Sequence, residues 1–421
     1  MKKTDFITKI VQEPSSSRKD TLWYTAGSVT SSAASLILLF VITRITGSDA
    51  AGAFSIALAA AQLMLSLGWY NMRAYQVSDL NEKYTFSDYF TTKVLTSSFM
   101  LVGGIAYAVL YHYGTYKTLL TLFLCVLMIG DVMADVFAGL FQQKNKLYIG
   151  GYSYVVRILL YNIILIVTLF ITKNLFIAVS AAILVSAIWL YCFDYHIARQ
   201  MVPVKINRLS RKQTALFIEC FPLFFGAFIT SFLINIPKNA INQFMSNTIQ
   251  TEYNLLFSVS AVVNLFCMFI CVPMYNKIAL LWNTKQYPKF LKLLIKIVAL
   301  ILCITVVVEI GGYFIGLPIL SMLSGLDLNP HKFTFAILLL AGGFNGVITI
   351  LSYCITVMRQ QKLLLIAYVI IAVLIQFIGY DFVRQYGILG ASWTYLLTMS
   401  CIILSMSGIF IFFYIKIAKS H

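Results

Sequence analysis

Very little of this chain is charged. Asp and Glu number 15 and Lys and Arg 31 among 421 residues, so 11% is charged against 60% hydrophobic, with a mean hydropathy of +0.86. That balance cannot clothe a water-soluble globule, which excludes a soluble enzyme or nucleic-acid-binding domain. Histidine is almost missing: His112, His196, His331 and His421 fall at connections or the terminus, never at metal-ligand spacing. The eight cysteines (Cys125, Cys192, Cys220, Cys267, Cys271, Cys303, Cys354 and Cys401) sit inside apolar runs without C-x-x-C spacing. They read as reduced core residues, not a disulfide frame or a metal site. No G-x-x-x-x-G-K-S/T occurs, which excludes nucleotide hydrolysis through a P-loop. Residues 1–20 hold no apolar stretch of signal-peptide type, so the first helix is expected to be its own insertion signal.

What is present is a series of apolar runs near the length of about 20 residues that a spanning helix needs. Twelve are read, at 21–43, 50–70, 90–111, 117–141, 153–172, 174–194, 214–237, 253–276, 290–316, 333–358, 362–382 and 387–415. The fold class expected is therefore an all-α polytopic membrane protein. With both termini cytoplasmic, 25 of the 31 basic residues fall at cytoplasmic ends and loops and six outside. The net charge of +16 is thus a topology signal, with no nucleic-acid partner implied.

The longest basic connection, Tyr195 to Ala215, follows six helices and precedes six. The expected organisation is a cytoplasmic segment 1–20, a six-helix bundle 21–194, a basic linker 195–213, a second bundle 214–415 and a tail 416–421. The halves resemble one another: AGAFSIALAAAQLML at Ala51 aligns with NLLFSVSAVVNLFCM at Asn254, matching Phe54–Ser55 to Phe257–Ser258. Two halves of six helices each give parallel repeats, an arrangement in which transporters place substrate at the midplane and rock one half against the other.

Ionisable residues inside apolar helices are costly and usually face the bundle interior. Asp131 and Asp135, in LCVLMIGDVMADVFAGLFQQKNK (Leu124 to Lys146), are four apart and share a helix face. Counting outward from a loop centred near Lys146, Asp135 and Arg157 reach equal depth on neighbouring helices, so they are expected to pair. Asp131, one turn deeper, lies level with Tyr161 and Asn162 as hydrogen-bond donors. The pair reads either as a structural tie or, with Asp131, Asp135 or Glu309 titrating, as the place where H+ or Na+ movement couples to transport. Glu219 reads as a solvated helix-end residue. Pro222 and Pro237 bracket the seventh helix and mark it as the mobile element.

Three stretches carry a family resemblance: WYTAGSVTSSAASLILLFVITRITGSDAAGAFSIA, GLFQQKNKLYIGGYSYVVR and NIPKNAINQFMSNTIQTEYNLLFSV, with ILGASWTYLL (Ile388 to Leu397) closing the chain. The sequence resembles the polysaccharide-exporter branch of the multidrug/oligosaccharidyl-lipid/polysaccharide (MOP) flippase superfamily over essentially its whole length. The resemblance implies a non-enzymatic transporter in a bacterial cytoplasmic membrane. It would flip an undecaprenyl-pyrophosphate-linked oligosaccharide outward and work beside a polysaccharide polymerase, with no cofactor beyond a coupling ion. A pyrophosphate asks for fixed cations, and Arg157, Lys238 and Arg44 are the candidates. Relatives often carry Asp where this chain has Asn242, and an apolar or aromatic residue where it has Asn239. The alternatives are a cation-drug antiporter of the same superfamily and an integral-membrane polymerase, the latter disfavoured by short outer connections.

Overall fold

The computed structural model describes residues 17–79, 83–208, 210–358 and 360–418. The expected N-terminal segment lies outside the described residues up to residue 16, as do residues 419–421, and the side chains of Pro222 and Cys271 are likewise not described.

The described residues are helical nearly throughout: α1 (Ser17–Trp69), α2 (Met72–Ser78), α3 (Phe86–Leu110), α4 (Gly114–Gln143), α5 (Leu147–Thr172), α6 (Leu175–Trp189), α7 (His196–Met201), α8 (Arg211–Phe244), α9 (Asn247–Asn283), α10 (Tyr287–Gly311), α11 (Leu317–Ser324), α12 (Lys332–Val357) and α13 (Gln361–Ala418). Among the described residues, nine helical stretches are long and apolar enough to cross a membrane. Two of these are double. At Gly47 (φ 85) α1 breaks into two helices, and at Gly387 (φ 58) α13 does the same. Only a residue without a Cβ takes such angles cheaply, so each glycine turns one long apolar segment into two. With α9, 37 residues long, the count is the twelve spans read from the sequence, in an all-helical polytopic membrane protein.

Helix ends differ from the sequence reading in three places. The sixth span continues past residue 194 through a π-helical turn (Leu190–Tyr195) into α7, because Ile197 and Ala198 are fully buried and hold that turn against the bundle. The ninth likewise passes through a π-helical turn at Gly312–Gly316 into α11. The prolines do not bracket the seventh span: Pro222 and Pro237 both lie within α8, whose apolar part is Phe224–Phe244. Pro237 leaves the carbonyl of Leu233 without its usual helical donor in mid-helix.

The chain groups into two compact units, Met1–Ser231 and Phe232–His421. In the first, small residues let helices close on each other. A Cβ on Gly151 would lie 2.7 Å from the backbone of Trp23, and one on Gly150 would lie 2.9 Å from Ala138. In the second, Gly342 approaches the backbone of Ser260 in the same way. Ser55 and Ser258, matched in the two halves by sequence, each donate to the carbonyl three residues back.

Residues 202–208 of the connection in the first unit are anchored by side chains of α3. Asp88 caps α3 through Thr85 and accepts from Asn207 (3.0 Å) and Gln213 (2.7 Å), while Ser87 donates to the Pro203 carbonyl. The described cysteines are free thiols, but Cys192 and Cys303 are exposed on helix surfaces rather than buried in the core. A thiol behaves as a small apolar group, so an outward position on a spanning helix costs little.

Candidate functional site

The aspartates of α4 do share a face, but each has a different partner from the one expected. Arg157 Nη2 donates to Asp131 Oδ1 at 2.5 Å. Asp135 instead lies 2.7 Å from Lys93 Nζ on α3 and 3.6 Å from Arg73 Nη1 on α2. The α4–α5 turn falls between Gln143 and Leu147 and is centred near Asn145, not Lys146. Arg157 is therefore level with a point between the two carboxylates. Lys93 already occupies Asp135, and the guanidinium goes to Asp131.

Arg157 is fully buried. Its Nη1 donates to Ser186 Oγ at 3.2 Å, the guanidinium lies 5.7 Å and 5.9 Å from the ring centroids of Tyr154 and Tyr161, and Nε has no hydrogen-bond partner. Gly130 makes room for it: a Cβ there would meet Ser186 Oγ at 2.5 Å and Arg157 Nη1 at 3.0 Å. The donors expected for Asp131 are not used that way, because Asn162 donates to the Ile158 carbonyl within its own helix (2.8 Å). Beside Gly130 and Ser186, an apolar groove of about 360 Å³ opens between α3, α4 and α6.

Lys93 was not among the charges read from the sequence, since it stood near the start of its apolar run and passed as a loop-end residue. Its side chain is fully buried. The second helix of α1 ends at Trp69, and its orphan carbonyls need donors. Lys93 Nζ supplies one to Trp69 O (2.7 Å), and Thr96 Oγ1 supplies one to Gly68 O (2.8 Å). A cation at a helix C-terminus is also favoured by the macrodipole. Arg73 donates to Gln142 Oε1 at 3.1 Å and is placed by Tyr70 and Asn71, both in the left-handed region (φ 49 and 47).

Asp194 is a second charge the sequence reading missed, because it fell at the assumed helix end. It sits buried on the π-helical turn, accepts from Ser153 (2.7 Å), and Ser153 accepts from Trp189 Nε1 (2.9 Å). Single π-helical turns are frequent at functional sites. Glu219 is half-exposed but is more than a solvated helix end: it accepts from Tyr75, from Lys83 (2.7 Å) and from Tyr84 (3.2 Å). The hydrogen bonds from Lys83 and Tyr75 hold its carboxyl below the usual range, and the bond to Glu219 pushes the Tyr75 hydroxyl up to about 12.

The other predicted residues stand apart. In the second unit Lys238 is buried, 4.3 Å above the Phe257 ring, with no carboxylate within ion-pair distance among the described residues. Glu309 is half-buried on α10, one turn before the π-helical turn. Arg44 is exposed near the Gly47 break. No group of three or more His, Cys, Asp or Glu able to hold a metal occurs among the described residues.

Neither a family model nor a curated protein matches the sequence. Solved structures do match the fold, and those reported are MOP-type transporters. A lipid II flippase MurJ in an inward closed conformation superposes with TM-score 0.74 at 13% identity, over 94% of this chain and 90% of that one. A multidrug-resistance MATE transporter of the MOP superfamily, facing inward, gives 0.66 at 12% over 99% of each chain. A MOP transporter from Pyrococcus furiosus, described as having a binding pocket of reverse polarity, gives 0.54 at 11% over 99% of each. The chain has the fold of MOP-type membrane transporters.

Proposed function

We propose that this protein flips a polyprenyl-pyrophosphate-linked oligosaccharide across a bacterial cytoplasmic membrane by alternating access, with both termini cytoplasmic. The observation that carries this reading over a cation-drug antiporter is Lys238. A buried lysine in a spanning helix with no carboxylate nearby is costly to keep, and it suits an anionic ligand and repels a cationic one. Supporting it are the resemblance to polysaccharide exporters and the likeness to a structure titled as a lipid II flippase. A lipid-linked oligosaccharide is an amphiphile whose polar head asks for a polar, cationic route while its tail stays in the bilayer.

Ion coupling is assigned to the carboxylates. In the described state Asp131 neutralises Arg157. Protonation of Asp131 would release the guanidinium for a phosphate oxygen, which links a proton to substrate binding. Asp194, Asp135 and Glu309 are the remaining candidates for the coupling ion, and Arg44 is a further cation for phosphate. A cation-drug antiporter is the second reading, favoured by the match to MATE transporters over 99% of both chains.

The test is depletion of the protein in its native host, with lipid-linked repeat units measured in each leaflet. Accumulation in the inner leaflet is expected. Normal arrival in the outer leaflet, with no second flippase to account for it, overturns the assignment.

A further inference from the structure

We infer that the exposed lysine face at the start of α10, with Lys285 in the turn before it, binds the headgroups of anionic phospholipids in the leaflet it meets. The inference rests on the membrane-spanning fold and does not depend on the proposed substrate.

Charge in this part of the second unit is of one sign. Between Glu252 and Glu309 the sequence has no Asp or Glu, yet it has Lys277, Lys285, Lys289, Lys292 and Lys296. All five are exposed, and among the described residues none forms an ion pair. Lys289 Nζ donates to Gln286 Oε1 at 2.9 Å, a neutral partner. Helix formation does not account for these lysines. The first turn of α10 has no acidic residue, and cations near a helix N-terminus oppose the macrodipole.

The spacing gathers the charge on one face. Lys289, Lys292 and Lys296 stand at i, i+3 and i+7, within about 60° of one another around the helix. Phe290, Leu294, Ile297 and Ile301 are buried on the other side. The lysine face is therefore turned away from the core, and apolar side chains flank it: Ile295 is 60% exposed and Leu300 46%. An outward surface that mixes apolar groups with ammonium groups fits the boundary between acyl chains and headgroups.

Depth agrees. The apolar stretch Tyr287–Ser324 has 38 residues, against about 20 needed to cross the hydrocarbon layer, so it projects beyond that layer. Aromatic anchors mark where the interface falls. The Trp282 ring lies 5.0 Å from that of Tyr287 and 5.1 Å from that of Phe290, and Tyr414 donates to the Tyr287 carbonyl at 3.2 Å. Trp and Tyr settle at headgroup level. Helical side chains point back toward the N-terminus, so Lys292 and Lys296 reach that level along their stems. Lys289 and Lys296 are about 10 Å apart along the axis, which suits a row of phosphodiester headgroups better than one compact anion.

The test uses the full chain, purified in detergent, with retained lipid counted by native mass spectrometry against equal phosphatidylglycerol and phosphatidylcholine. Preferential retention of phosphatidylglycerol is expected. Changing Lys285, Lys289, Lys292 and Lys296 together to Gln should weaken it by about tenfold or more. Thermal melts in phosphatidylcholine show whether that variant is folded, and single Lys289→Gln and Lys292→Gln variants, each with a smaller loss, serve if it is not. Neutralising four exposed cations elsewhere, Lys144, Arg199, Lys205 and Arg208, should cost much less. Equal loss from the two quadruple variants would mean that net charge alone attracts the lipid, and would overturn the site. So would retention without preference for phosphatidylglycerol, or retention indifferent to the lysine changes in folded protein. Displacement of phosphatidylglycerol by inorganic pyrophosphate, beyond that by sodium chloride of equal ionic strength, would overturn the lipid as occupant in favour of a free phosphate.

Discussion

Arg157 on α5 and Asp131 on α4 meet at 2.5 Å, with the arginine fully buried and the carboxylate nearly so. Removing either partner strands a charge in a low-dielectric interior, at a cost of about 3–5 kcal/mol, while removing both together often costs much less. Asp131→Asn and Arg157→Met should therefore each lower the melting temperature of the purified protein sharply. The double variant should recover a large part of the loss. Additive losses would mean that the two side chains do not depend on each other. The same Asp131→Asn change, where protein remains in the membrane, should also alter how transport responds to collapse of the ion gradient.

A different balance holds at Lys238, where charge has no acid to offset it. Lys238→Met keeps the long stem over Phe257 and removes the buried ammonium. It should raise stability by about 2 kcal/mol, since lysine is disfavoured by roughly that much or more at a helix centre in a bilayer. Export of lipid-linked oligosaccharide should fall about tenfold or more, the equivalent of roughly 1.4 kcal/mol of lost transition-state or binding energy. A variant that is both more stable and fully active would mean that Lys238 does not touch the substrate.

These two residues also show what the sequence could and could not reveal. The twelve spans were legible because an apolar run of spanning length is a strong signal, and the two glycine breaks merely divide what the sequence already divided. Asp131, Asp135 and Arg157 were legible as buried charges for the same reason. Their pairing was not, because depth counted along two helices is uncertain by a residue or two at the turn, and one residue of error moves a side chain by about 100° around the helix. Lys93 and Asp194 went unnoticed because each lies near a helix end, where a charge normally reaches water. Only the packed structure reveals that Lys93 is fully enclosed and that a π-helical turn carries Asp194 inward.

Glu219 ties the segment around α2 to the start of α8, and its effect should depend on pH. Its carboxyl is held below the ordinary value of 4.5 by Lys83 and Tyr75. The stabilisation it gives is full above that value and is lost as pH falls through the lowered folded value. Tyr75 works in the opposite sense: its hydroxyl moves from 10.0 to about 12, so its share is full below 10 and lost as pH rises through about 12. Glu219→Gln should remove the acid-side loss of thermal stability attributable to this contact and let Tyr75 ionise nearer pH 10, read by ultraviolet absorbance of tyrosinate. An unchanged tyrosine titration would mean that the contact is absent in solution.

The last expectation concerns which way the chain faces. The turn between α4 and α5 holds Lys144 and Lys146, and the anchored connection before α8 holds Lys205 and Arg208. The turns at Asn247 and Asn329 carry little basic charge. Basic residues are retained on the cytoplasmic side during insertion, so these two sets of turns should lie on opposite faces of the membrane. The spans between them agree: three crossings separate Arg208 from Asn329 and one separates it from Asn247, both odd. In a background lacking native reactive thiols, single cysteines at Asn247 and Asn329 should react with a membrane-impermeant maleimide in intact cells. Cysteines at Lys144 and Arg208 should react only after the membrane is opened. The reverse pattern would invert the protein and, with it, the direction in which it moves its substrate. Labelling of Asn247 and Asn329 on different sides would break the even number of crossings that the helices between them require.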